Sequence, residues 1–387
     1  MRILQTLDSY YPKFDGPTNV ITNYNKAFLK MEGGKAQSEI FVPRHPGYVD
    51  TQPFPVHRVR SIRSAEGYYQ GTPGLDSKLK RYLKENKFDV IHLHAPFTMG
   101  RFFARYGKKH GIPTFFTFHT KFKDDFKRIL HIRPLVAIMM HYIMKTINMC
   151  DRVLTVSEGA ADVLRAYGYK KEIKVIRNGT DLTYPADAET LIAKVNEKHA
   201  LAGQENILLS VGRIVENKRI DLVLRALQIV KARGLDFRFI IVGDGTYKDK
   251  LAALAEELGL ADRVIFTGRI LERDLLSGYY LRSDLFVLPS LFDTASLAPI
   301  EAAALKLPSL LTRGCSTAEI IAADRNGYLA DDSVEAWADK ICRILQDKEG
   351  LARVKELCHK EVYRSWDSVC EEVYAYYEET LAQMKKG

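Results

Sequence analysis

The sequence predicts an α/β protein made of two doubly wound parallel sheets. Three observations carry this expectation. The chain has 387 residues, too many for one ordinary core and enough for two. Short apolar runs alternate with longer amphipathic stretches, the pattern of strands buried on both faces with helices packed over them. The alternation occurs as two series separated by a polar stretch.

The first series has strand-like runs at residues 2–7, 38–42, 90–94, 114–118, 152–156 and 173–176, with helical patterns between them at 19–31, 76–85 and 158–167. Residues 183–198 are polar, include Pro185 and show no strand pattern, so they read as an interdomain link. The second series has strands at 207–211, 237–242, 263–267, 285–288 and 309–311, and helices at 220–233, 247–258, 273–281 and 297–304. Everything after about residue 333 reads as helical. This gives an N-terminal domain over 1–185 and a C-terminal domain over 200–364. Ligands on such sheets bind at the carboxyl ends of the strands, and the deepest cleft is expected between the halves.

Composition excludes several classes. Hydrophobic content of 46% and charged content of 27% fit a globular protein, and no run is apolar enough and long enough to span a bilayer. The chain opens directly on a strand pattern, so no leader is expected. Five scattered cysteines (Cys150, Cys315, Cys342, Cys358, Cys370) suit neither a disulfide framework nor a zinc site and favour a reducing, cytoplasmic setting. Net charge is +9, and residues 101–145 hold ten Lys or Arg against Asp124 and Asp125, a local +8. Such a field suits an anionic partner, or it is simply a solvated basic face.

Four segments carry candidate chemistry. In Ser290–Ala302, Asp293 and Glu301 stand eight residues apart across a strand-to-helix junction. The N–H groups of Ser296, Leu297 and Ala298 between them suit a phosphate, and the carboxylates suit sugar or ribose hydroxyls. Taken alone, Asp293 reads equally well as a helix cap and Glu301 as a surface residue. In Val211–Asp221, Arg213 and Lys218 flank a loop at a strand end, which suits a diphosphate and its charge on departure; an exposed basic loop has the same pattern. The loop from Tyr10 to Val20 contains Gly16, which permits close backbone approach, or is a Pro/Gly turn with Thr18 or Asn19 capping a helix. It lacks G-x-G-x-x-G, which argues against a nicotinamide or flavin enzyme; Val242-Gly-Asp-Gly lacks the third glycine.

The fourth segment starts at His119, at a strand end, where functional side chains collect but a lone histidine is more often a packed structural residue. Lys121, Phe122, Lys123, Phe126, Lys127 and Arg128 follow, and then an apolar, Met-rich helix over residues 135–144. This mixture suits an interfacial membrane contact, unless the helix belongs to the core.

Taken together and in this order, the four segments resemble the GT-B-fold retaining glycosyltransferases of family 4, over essentially the whole chain. The resemblance implies two Rossmann-like domains facing across a cleft, with a last helix, about residues 365–387, crossing back onto the first. It implies that Gly16 approaches the donor phosphate, that Arg213 and Lys218 grip the diphosphate, and that Asp293 and Glu301 take the places of the two acids of an E-x7-E motif, contacting sugar and ribose. The backbone at Arg269 and Ile270 would meet the base, and His119 would stand near the reacting sugar. Asp293 is one methylene shorter than the family's glutamate, and Ser296 and Arg219 stand where glycine is common. Within the family the pattern is similar to lipid glycosyltransferases such as diacylglycerol glucosyltransferases. The expectation is therefore a cytoplasmic enzyme, peripheral on the inner face of the membrane. It would move a hexose from a UDP-glucose-like donor to a lipid hydroxyl, with no metal, no other cofactor and no nucleic acid partner. A transferase for soluble or polysaccharide acceptors, a nucleotide-sugar 2-epimerase and a non-enzymatic anion-binding protein are the alternatives.

Overall fold

In the computed structural model the chain folds as two compact units, Met1–Asn178 together with Trp366–Gly387, and Gly179–Ser365. All residues are described except 14, 64–66, 131, 203–204 and 386–387, and the side chains of 128–130.

The first unit holds strands β1 (Arg2–Thr6), β2 (Gln37–Pro43), β3 (Val56–Val59), β6 (Val90–Leu93), β7 (Thr114–Phe118), β8 (Arg152–Thr155) and β9 (Ile173–Val175), with a side hairpin β4 (Ser61–Arg63) and β5 (Tyr69–Gly71). Its parallel sheet runs β3-β2-β1-β6-β7-β8-β9, so the order reverses beside β1. β1 is buried along nearly its whole length because helices cover both faces. Those helices are α1 (Gly16–Lys30), α2 (Ser77–Glu85), α3 (Thr98–His110), α4 (Phe122–Leu130), α5 (Arg133–Met149) and α6 (Glu158–Ala166). α1 begins three residues before the expected start, because Asp15 caps it: its Oδ1 accepts from Thr18 N–H at 3.0 Å and Thr18 Oγ1 at 2.8 Å, and Pro17 follows in the first turn. Neither Thr18 nor Asn19 is the cap.

The second unit contains α7 (Ala188–His199), β10 (Ile207–Val211), α8 (Ile220–Ala232), β11 (Arg238–Val242), α9 (Lys248–Glu257), β12 (Val264–Gly268), α10 (Arg273–Arg282), β13 (Leu285–Leu288), α11 (Ala298–Ala304), β14 (Ser309–Thr312), β15 (Tyr328–Ala330), α12 (Val334–Gln346) and α13 (Lys348–Glu361). Its parallel sheet runs β12-β11-β10-β13-β14-β15. Alternation by two divides its core. Leu208, Phe239, Ile241, Leu285 and Val287 pack towards α8 and α12, while Leu209, Ile240, Val242, Phe286 and Leu288 pack towards α10 and α11. Leu227 of α8 is fully buried, and truncating it to Ala costs about 2–5 kcal/mol.

The stretch expected to be a link is instead the helix α7. Ala188, Leu191 and Val195 form its buried face against α10. A Cβ at Gly278 in α10 would come within 2.8 Å of the Leu191 carbonyl oxygen, so the glycine sets this close approach. The last helix, α14 (Trp366–Met384), packs on α1 and belongs to the first unit.

Candidate active site

In the second unit, β10 ends at Val211 and the chain turns at Gly212 to present Arg213 to solvent. The following loop is clamped to the end of β11: Gly212 N–H donates to Val242 O at 3.0 Å, Ile214 N–H to Asp244 O at 2.9 Å, and Tyr247 N–H to Ile214 O at 3.1 Å. A Cβ at Gly243 or Gly245 would collide with the Gly212 or Ile214 carbonyl. The Val242-Gly-Asp-Gly motif thus serves to hold the Arg213 loop. Ser210, Val211, Gly212, Arg213, Lys218 and Ile220 line a small pocket there, with Val242 and Leu288 beside them.

Lys218 ends a short 3₁₀ turn. Its ammonium lies 2.6 and 2.8 Å from the two Asp293 carboxylate oxygens, with both side chains about four-fifths buried. Ser290 Oγ also donates to Asn217 O at 3.3 Å, so the two loops are tied at the carboxyl ends of β10 and β13. Asp293 is therefore a partner of Lys218 rather than a helix cap; α11 begins at Ala298 with Leu297 in the cap position and no side-chain cap. Of the three amides expected to be open, Ser296 N–H is taken by Thr317 Oγ1 at 3.3 Å. Leu297 and Ala298 stand at the start of α11, where no side chain of the cap residue closes the helix end.

Glu301, in the first turn of α11, is not a surface residue. Its Oε2 accepts from Tyr280 OH at 2.9 Å, and Arg273 approaches Oε1 at 4.0 Å. Burial pushes its carboxyl above the usual range, against the opposing pull of Arg273 and the Tyr280 hydrogen bond. Arg273 also pairs with Asp181. Tyr280, Arg273, Asp181 and Thr317 escaped sequence reasoning, because only folding brings the first three to Glu301 and its partner and Thr317 to Ser296 N–H. Arg269 and Ile270 follow β12 directly, Arg269 exposed and Ile270 packed on the core. Arg219 sits at φ +56°, the left-handed conformation in which glycine is favoured, with its guanidinium 2.5 Å from Asp332.

In the first unit, Gly16 is the exposed first residue of α1. His119 follows β7 and its Nε2 lies 3.1 Å from His94 Nδ1. It ends a row of three imidazoles: the His92 and His94 centroids are 4.4 Å apart and those of His94 and His119 are 5.4 Å apart. His94 Nε2 contacts Gln5 Oε1 at 2.9 Å; His92 contacts Thr117 Oγ1 at 2.7 Å and, through Nδ1, the Tyr377 hydroxyl of α14. Burial holds His92 and His119 down to about 3 and His94 well below the ordinary value, so all three are neutral. The alternation His92-Leu93-His94 on one strand was the available sequence signal for this row. Asp8, at the end of β1, accepts from Met99 N–H at 2.7 Å and Phe97 N–H at 3.2 Å at the start of α3; burial nevertheless raises it to about 6.

The expected basic-aromatic surface is rearranged. Phe122 is buried against Phe97 and Phe118, and half-buried Phe126 stacks beside it, so their apolar rings face inward. Lys123 and Lys127 are exposed and Lys121 is half-buried, while the Arg128 side chain lies outside the described residues. The exposed apolar groups come from the next helix. α5 buries Val136, Ile143 and Ile147 but presents Leu135 and Ile138, and Ile132 is exposed just before it. α5 is thus neither wholly core nor wholly exposed.

The model of a family described as glycosyl transferases group 1 matches residues 192–360, and that of Glycosyltransferase Family 4 matches residues 26–184. The chain is 26% identical to an alpha-monoglucosyldiacylglycerol synthase of Streptococcus pneumoniae, over 80% of this chain and 70% of that one. It is also 26% identical to a GDP-mannose-dependent alpha-mannosyltransferase of Corynebacterium glutamicum, over 99% of this chain and 90% of the relative. Its fold is similar to that of Anabaena HepE solved in complex with UDP, with a TM-score of 0.79 at 16% identity, covering 98% of this chain and all of the other.

Proposed function

The chain belongs to the family-4 glycosyltransferases of the GT-B fold, and from that premise we propose that it moves glucose from UDP-glucose to a hydroxyl of a membrane glycolipid precursor such as diacylglycerol, with retention at the anomeric carbon. The observation that carries the reading is the meeting of Lys218 with Asp293 at the strand ends that also carry Arg213. In this reading Arg213 and Lys218 neutralise the diphosphate as it leaves, assisted by Leu297 and Ala298 N–H. The two cations supply the charge that a metal supplies in other transferases. Asp293 contacts the sugar and shares Lys218 with the phosphates. Glu301, steadied by Tyr280, accepts from the ribose hydroxyls, and the backbone at Arg269 and Ile270 meets the base. By the family resemblance Gly16 is assigned to a phosphate approach and His119 to a sugar hydroxyl, and the departing phosphate takes the acceptor proton.

Two features support a lipid acceptor. The S. pneumoniae relative is named for a glycolipid product. Lys121, Lys123, Lys127 and Arg133 lie in the same stretch as exposed Ile132, Leu135 and Ile138, cations beside apolar groups as an anionic bilayer surface requires. Each cation near such a surface contributes about 1 kcal/mol. No helix among the described residues is long and apolar enough to cross a membrane, so the contact would be peripheral.

The test supplies UDP-glucose or GDP-mannose with diacylglycerol vesicles, with and without anionic lipid. Transfer from UDP-glucose, accelerated by anionic lipid, is expected. Transfer from GDP-mannose alone would overturn the donor, transfer indifferent to anionic lipid would overturn the membrane surface, and a 2-epimerised sugar released without acceptor would overturn the reaction itself.

A further inference from the structure

We infer that Gln5, acting through His94, fixes the tautomer of His119 so that its Nδ1 is a bare hydrogen-bond acceptor facing a substrate hydroxyl. The inference rests on the reading of His119 as a substrate contact.

Gln5 is fully buried in β1, and its Nε2 donates to Ser38 Oγ at 2.9 Å. Its carbonyl oxygen faces His94, 2.9 Å from Nε2. An amide oxygen only accepts, so the proton of His94 is on Nε2. The His94 ring is neutral, because burial and the neighbouring imidazoles oppose a second proton. Its Nδ1 is then a bare lone pair, and the group 3.1 Å away, His119 Nε2, must donate to it. His119 is neutral for the same reason of burial, so the nitrogen left over, Nδ1, has no hydrogen.

The neighbouring ring shows why Gln5 is decisive. His92 sits between two hydroxyls, Tyr377 and Thr117, and each can donate or accept, so either tautomer of His92 is satisfied. Only the amide at the far end of the His94–His119 pair breaks this symmetry. Gln5 is in this sense a positioning residue: it touches no substrate, yet it decides whether His119 offers a lone pair or an N–H.

The chemical consequence is specific. A bare Nδ1 recognises a group that donates, such as a sugar hydroxyl, and cannot deliver a proton to a leaving phosphate. His119 then acts by orienting a hydroxyl, and acid catalysis falls to other groups.

The experiment labels the histidine nitrogens with 15N and reads tautomers by long-range proton–nitrogen NMR in the full chain, with His119→Gln used to assign the resonance. The expected result is His119 protonated on Nε2 in the wild type and a mixture of tautomers in Gln5→Met, where His94 has lost its acceptor. Transfer should slow by about 3- to 10-fold in Gln5→Met, the worth of one neutral hydrogen bond. His119→Asn, whose amide oxygen occupies the place of Nδ1, should retain about tenfold more activity than His119→Gln, which reaches the place of Nε2. A wild-type His119 protonated on Nδ1, or one unmoved by Gln5→Met, overturns the inference and leaves the transferase reading intact. If His119→Ala transfers at the wild-type rate with the tautomer as inferred, the site assignment of His119 fails instead.

Discussion

The two units are both parallel doubly wound sheets, yet they treat polar groups at their strand ends in opposite ways. The first unit buries imidazoles and quenches their charge: His92, His94 and His119 are tied to one another, to Gln5, to Thr117 and to Tyr377. The second keeps its charges and balances them: Lys218 is paired with Asp293, Arg273 stands between Asp181 and Glu301, and Arg213 stays exposed. The physical lesson is that one scaffold makes two kinds of surface. A neutral, tautomer-controlled row suits hydroxyl groups, and a cationic rim suits phosphate.

Acid should break this comparison most strongly. A histidine whose folded pKa is depressed binds fewer protons than its unfolded counterpart, so its stabilising share is present above about 6.5 and is lost as pH falls towards about 3. Each buried histidine costs about 1.4 kcal/mol per pH unit over that window, with a smaller share from the partly exposed His119. Asp8, raised to about 6, works in the opposite sense and offsets part of this loss. The net loss for the first unit at pH 5 is on the order of 3–4 kcal/mol. Hydrogen exchange at pH 7 and pH 5 should show β1, β6 and β7 losing protection while β10, β11 and β13 keep theirs. Equal loss in both sheets would contradict the assignment of neutral imidazoles.

Lys218→Ala comes next. It should cut turnover about 10²- to 10³-fold, the usual effect of removing one preorganised donor to a developing anion. The fold should survive at a lower melting temperature, because the variant leaves the four-fifths-buried Asp293 carboxylate without its cation. Glu301→Gln sharpens the contrast: about tenfold weaker donor binding from a lost charge-assisted hydrogen bond, measured as KM. Because burial raises Glu301, its ionised form opposes folding once pH exceeds that raised value. The variant should therefore melt slightly higher at pH 7, and a drop would contradict the burial argument. Arg219→Gly should do least. It relieves about 1 kcal/mol of left-handed strain and forfeits the Asp332 contact, so a stability change under about 1 kcal/mol is expected by chemical denaturation.

Much of this organisation was legible in the sequence, for identifiable reasons. Strands such as residues 114–118 and 207–211 are continuous apolar runs, and buried parallel strands leave that signature whatever their neighbours. β3 escaped notice because His57 and Arg58 interrupt its apolar residues, and β15 because its three residues leave a shorter run than 173–176. α7 was hidden because only Ala188, Leu191 and Val195 face inward and the rest of the helix is polar. Phe122 misled because a basic-aromatic segment reads the same whether its rings turn out or in, and here Phe97 and Phe118 draw the ring inward. The acids Asp293 and Glu301 were visible by spacing, but their partners were not. Lys218 and Tyr280 lie 75 and 21 residues away, and only the sheet order brings them in. The imidazole row depends on β1, β6 and β7 being in register, a fact of pairing that single-sequence patterns do not carry.

The central claim is that a diphosphate is held by Arg213 and Lys218 at the end of β10. Calorimetric titration of UDP and GDP into the wild type, Arg213→Ala and Lys218→Ala tests it most directly. Saturable wild-type binding of UDP, reduced at least tenfold in each variant, is the predicted result; variants that bind as tightly as the wild type would contradict it.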